Sequence, residues 1–152
     1  MSKWRAKALE YFPALRTEIQ AADSVGRFWV DLIARLHNCY RCGPDENIKD
    51  SPELIRAVSM YAIWCDRSES QSTQEAAWIE FYEYFPEFAL KCPEPVYRKI
   101  IADLVSNIGM AEVEKMGCSL DQTDHNKFLA DARQADDDRK RKSQKQGRRQ
   151  HR

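Results

Sequence analysis

The stretch Ser59–Phe88, SMYAIWCDRSESQSTQEAAWIEFYEYFPEF, holds eight of the sixteen aromatic residues in this 152-residue chain. They are Tyr61, Trp64, Trp78, Phe81, Tyr82, Tyr84, Phe85 and Phe88. Their spacing is helical. Leu54, Ile55, Val58, Tyr61, Ala62 and Cys65 form one apolar stripe, widened by Trp64, and Ala77, Trp78, Phe81, Tyr82 and Phe85 form another. The polar RSESQST between them reads as a turn. Ser51-Pro52-Glu53 is a start signal for the first helix: a cap residue, a proline at the first position and an acid in the first turn. Thr73 is the expected cap of the second helix, and Pro86 is expected to interrupt it. The stretch therefore predicts two helices at the centre of one apolar core.

Working outward, the tetrapeptide Glu83-Tyr84-Phe85-Pro86 repeats Glu10-Tyr11-Phe12-Pro13. The flanks agree only loosely, and two recurrences do not make a repeat architecture. Trp4, Ala8 and Leu9 share one face of a short N-terminal helix. Asp23-Ser24 is a cap site. It opens a strong stripe of Val25, Phe28, Trp29, Leu32, Ile33, Leu36 and Tyr40, which Gly43-Pro44 ends. After the connector Cys92-Pro93-Glu94-Pro95, the residues Val96, Ile100, Ile101, Leu104, Val105 and Ile108 make another stripe, and Gly109 breaks it. No segment alternates with period two. The predicted fold is all-α, a compact bundle of about six or seven helices over residues 1–117.

Beyond Gly117 only Leu120, Phe128 and Leu129 are large and apolar. Residues 118–152 read as a charged tail: a solvated helix capped by Thr123 or Asp124 and running to about Lys142, then disorder. Residues 139–152 contain eight Lys or Arg and no acid, which leaves 16 basic and 24 acidic groups in residues 1–138. The formal net charge of zero thus conceals an acidic body and a basic end. No apolar run approaches the ~20 residues of a membrane span, and the first residues lack a secretory apolar run. Five cysteines from Cys39 to Cys118 do not form a secreted disulfide framework, so a reducing cytoplasmic setting is expected.

Read together, Trp4–Ile19 (WRAKALEYFPALRTEI), Phe28–Leu32 (FWVDL), Tyr61–Cys65 (YAIWC) and Phe81–Pro86 (FYEYFP) resemble a family of small bacterial all-helical proteins. The resemblance covers about the first 115 residues. It implies a helical domain ending near Gly117 and assigns no activity and no site residue. The basic end and the Cys39/Cys42 pair depart from that family's pattern.

Candidate sites are few. His37-x-Cys39-x-x-Cys42 has the thiolate spacing of a zinc or redox site, but no second pair completes a tetrahedral set. Glu80, Glu83 and Glu87 share a helix face and more commonly form a solvated surface than an acid–base pair. Cys65 could serve as a nucleophile only if the fold delivered a histidine to it. There is no phosphate-binding glycine loop, nucleophile elbow or HExxH motif, so neither a cofactor nor a catalytic residue is assigned.

Two binding surfaces remain. Trp78 and Tyr82 lie one turn apart and would form an aromatic partner-binding row if exposed. Arg139, Lys140, Arg141, Lys142, Lys145, Arg148 and Arg149 would attract nucleic acid or an acidic surface without sequence specificity. The expected role is binding a protein partner, as an adaptor or immunity-like module, rather than catalysis. The alternatives are a nucleic-acid accessory protein acting through the basic end, and an enzyme using Cys65 or Glu80/Glu83.

Overall fold

A computed structural model describes residues 1–41 and 51–150. Among these residues the chain forms eight helices and no strand. Helix α1 is Lys3–Tyr11. A 3₁₀ turn, Pro13–Leu15, leads into α2, Arg16–Ala21. Then come α3 (Val25–Arg41), α4 (Ser51–Asp66), α5 (71–91), α6 (Glu94–Ile108), the short α7 (Met110–Val113) and α8 (Gln122–Gln150). The count of eight exceeds the expected six or seven because α8, read from the sequence as a tail, is a full helix of the bundle. Gly43-Pro44 and the polar run after it lie outside the described residues. Among the described residues, no helix is long and apolar enough to cross a membrane.

Helix α4 sits at the centre and packs against α1, α3, α5 and α6. Its Ile55, Val58, Tyr61, Ala62 and Cys65 are buried, as the stripe predicts, and Ser59 is buried with them. Rings join the helices into a continuous ladder. Trp4 stacks on Phe28 (centroids 5.9 Å), Phe28 meets Tyr61 edge-on (5.9 Å), and Tyr61 stacks on Trp29 (5.3 Å). Trp29 then meets Phe81 (6.2 Å), Phe81 stacks on Phe85 (5.9 Å), and Phe85 stacks on Phe88 (6.0 Å). Such pairs are worth about 0.5–1.5 kcal/mol beyond their burial.

The two EYFP tetrapeptides end differently. Pro13 opens the 3₁₀ turn, where its missing N–H costs nothing. Pro86 sits inside a helix that continues to Lys91, contrary to the expected interruption. Two features make this possible. Residues Trp78–Glu83 form a π-helical turn, wider than an α-turn, which sets two adjacent rings, Phe81 and Tyr82, on the buried side. The carbonyl of Tyr82, four residues before Pro86, accepts instead from the backbone N–H of Gly117 at 2.8 Å. The cap of α5 is also displaced: the Ser70 hydroxyl, not that of Thr73, accepts the N–H of Thr73 (3.4 Å). At α3 the Ser24 hydroxyl accepts from the N–H of Arg27 (3.1 Å), as expected.

The chain after Gly117 departs most from its reading. Asp121, not Thr123 or Asp124, caps α8, its carboxylate accepting the N–H of Asp124 (2.9 Å). Phe128 and Ala132 are fully buried and belong to the same core as the preceding helices. Tyr97 of α6 donates its hydroxyl to Asp131 (2.6 Å). The helix then runs on to Gln150, where the sequence predicts disorder beyond about Lys142.

Candidate nucleic-acid interface

Helix α8 has an anchored half and a free half. Up to Asp136 its inner face packs on the body. Asp136 is 7 % exposed and holds Arg139 (3.4 Å) and Lys140 (3.0 Å) in ion pairs. These two cations thus share one carboxylate. Arg141, Lys142, Lys145, Arg148 and Arg149 are all exposed. Among the described residues none of these five forms an ion pair. At about 100° per residue, i, i+3, i+4 and i+7 positions share a face. Arg141, Lys145 and Arg148 make one row, and Lys142, Lys145 and Arg149 make a second beside it. The basic end is thus a helical arm with its charge on one side.

The aromatic row is turned inward. Tyr82 is fully buried and Trp78 is half-buried, so the condition for a Trp78/Tyr82 partner surface is not met. Both polar atoms of the row are engaged. The Trp78 indole N–H donates to Asp66 (2.5 Å), and the Tyr82 hydroxyl donates to Glu112 (3.1 Å). Lys115 closes the bracket, with Nζ 3.3 Å from Asp66 and 3.0 Å from Glu112. Burial, with the Glu112 carboxylate beside it, pushes the Tyr82 phenol far above its ordinary value. The π-turn explains the inward row: a wider turn shifts the period away from 3.6 and rotates Ile79 and Tyr84 outward instead, 43 % and 50 % exposed.

Burial pushes the Cys65 thiol up to about 12, which Trp29 and Tyr61 oppose only in part, so it is protonated and a poor nucleophile at neutral pH. Burial also raises Glu80, and Glu87 pairs with Lys91 (3.2 Å). Among the described residues, no three His, Cys, Asp or Glu side chains group to hold a metal ion. Cys42 lies outside the described residues. One cleft, of about 510 Å³, is lined by Trp4, Trp64, Arg67, Glu69 and Ser70, and another, of about 520 Å³, by Phe12, Leu15, Cys39, Glu53 and Leu54.

His37 stacks on Phe88 with ring centroids 3.8 Å apart. Burial, and then the Arg41 charge, lower its pKa to about 4. The unfolded chain takes up this proton near pH 6.5, and the folded chain resists it until about pH 4. Stability is therefore full above pH 6.5 and is lost as pH falls from 6.5 to 4. Partial exposure reduces the effect to about 1–2 kcal/mol. His37→Phe, which keeps the stacking, should lose less stability than the native chain between pH 7 and pH 4.5. Denaturant titrations at both pH values measure the difference, and equal losses would refute the assignment.

No protein-family model matches the chain, and neither a curated protein nor a solved structure matches it.

Proposed function

We propose that this protein is a macromolecule-binding module that engages nucleic acid through the basic arm of α8. The observation that carries the reading is the set of five exposed cations on one side of a helix rooted in the core. An ion-paired surface gains little from phosphate, because its charge is already matched. Unpaired cations displace the counterions condensed on a phosphate backbone, and that release drives association. The acidic body repels phosphate and confines contact to the arm. Sequence selectivity is not expected.

Five phosphate contacts predict a slope of about −4.5 in log K against log salt for a duplex. Affinity should fall several hundred-fold, on the order of 500, between 50 and 200 mM salt. Replacing Arg141, Lys142, Lys145, Arg148 and Arg149 together by Gln should abolish binding and leave the far-ultraviolet circular dichroism of the body intact. Fluorescence anisotropy with a labelled 20-base-pair duplex reads both effects. Absence of binding at 50 mM salt, or unchanged binding by the fivefold variant, overturns the reading.

A second reading, docking of a protein partner, is favoured by Ile79 and Tyr84, which stand exposed on the outer side of α5. It takes the place of the inward-facing Trp78/Tyr82 row.

A further inference from the structure

We infer that the arm is built for double-stranded rather than single-stranded nucleic acid, which it straddles with one row of cations on each strand. This rests on the reading of α8 as the nucleic-acid-binding element and goes beyond it in naming the form bound.

The two rows diverge. Arg141 and Lys142 are neighbours in sequence and so point about 100° apart around the axis, as do Arg148 and Arg149. Arg141 and Arg148 flank one side, Lys142 and Arg149 the other, and Lys145 lies between them. A helix with its side chains is about 10–12 Å across. Positions 100° apart on that circumference are about 8–9 Å apart. That spread suits phosphates facing one another across a duplex groove, about 6 Å wide in the minor groove and about 12 Å in the major groove. Within each row the cations span seven residues, or about 10 Å, along the axis. The charge is thus laid out as two short parallel tracks.

A single strand offers one track of phosphates and exposes its bases. Proteins that hold such strands stack aromatic rings on those bases. Residues 129–150 contain no Trp, Tyr or Phe, and Phe128, the last aromatic before them, is fully buried in the core. The arm has nothing to offer an unpaired base. A duplex also suits the surroundings, because it is stiff over far more than this length. It can lie along the arm without folding onto the acidic body.

The test is fluorescence anisotropy with the full chain at 50 mM salt. The probes are a 20-base-pair DNA duplex and each of its separated strands. The duplex should bind at least tenfold more tightly than either strand. Arg141→Gln with Arg148→Gln, and separately Lys142→Gln with Arg149→Gln, should each flatten the duplex salt slope by about 2. Single strands binding as tightly as the duplex would overturn the inference and leave the nucleic-acid reading standing. A pair of substitutions in one row that leaves the duplex slope unchanged would also overturn it, since both strands must then be reached by the other row. Failure of every probe to bind removes the underlying reading as well.

Discussion

Replacing Tyr61 by alanine is expected to remove about 4 kcal/mol of stability, the scale of deleting a fully buried aromatic ring. Tyr61 is where the ring ladder branches. It lies 5.7 Å from Phe12, 5.9 Å from Phe28, 5.3 Å from Trp29 and 6.1 Å from Trp64, centroid to centroid. These rings come from the segments around α1, α3 and α4, so one truncation opens a cavity at the junction of three helices. For a chain of this length the loss corresponds to a fall of roughly 8–16 °C in Tm. Tyr61→Phe keeps the ring and removes only the hydroxyl that donates to the carbonyl of Trp4 (3.2 Å). It should cost about 1 kcal/mol. Thermal unfolding followed by near-ultraviolet circular dichroism separates the two. A Tyr61→Ala loss no greater than that of Tyr61→Phe would deny the ring its place in the packing.

Gly117→Ala is expected to cost about 2–3 kcal/mol, from two sources. Gly117 has φ +82°, a left-handed conformation that costs a side-chain-bearing residue about 1–2 kcal/mol. A Cβ there would also stand 3.0 Å from Leu120 Cδ1 and 3.3 Å from His125 Cδ2. Easing that contact moves the N–H that serves the Tyr82 carbonyl. The penalty should therefore depend on Pro86. In a Pro86→Ala background a backbone N–H is restored within α5 and can take up the Tyr82 carbonyl, so Gly117→Ala should cost about 1 kcal/mol less. A double-mutant cycle by denaturant unfolding measures the coupling. A coupling of zero would show that the bond across Pro86 contributes nothing. Gly147→Ala is the control. It lies in α8 with nothing within 4 Å of an added Cβ, and should stabilise the arm by up to about 1 kcal/mol.

The parts of this fold that were legible in the sequence are those set by local period. The stripes of α3, α4 and α6 face the core as their spacing predicts, and Ser24 caps where a cap residue precedes a stripe. The misreadings share a cause: a distant group overrides a local rule. Pro86 forbids a bond to Tyr82, but only the fold reveals that Gly117 supplies another. Trp78 and Tyr82 look like an outer row if the helix is α throughout, and the π-turn alters the period just there. The segment after Gly117 offers Phe128 as its one aromatic, too little for a stripe, and the Tyr97–Asp131 bond that seats it spans two helices. The charge of the basic end was plain from the run of residues 139–152. That Arg139 and Lys140 share Asp136 while five others among the described residues form no ion pair required the helix and the position of Asp136.

The seating of α8 also bears on how the protein is made. Phe128 and Ala132 enter the core after every other buried apolar residue has been synthesised. Translation proceeds at about 5–20 residues per second, so the face of α6 that receives them stays uncovered for about 2–8 seconds while the ribosome completes α8. During that interval α6, against which α8 packs, belongs to a nascent domain with one open side. The cationic arm is the part that emerges next, and its charge keeps the late chain hydrated as the last apolar surface closes.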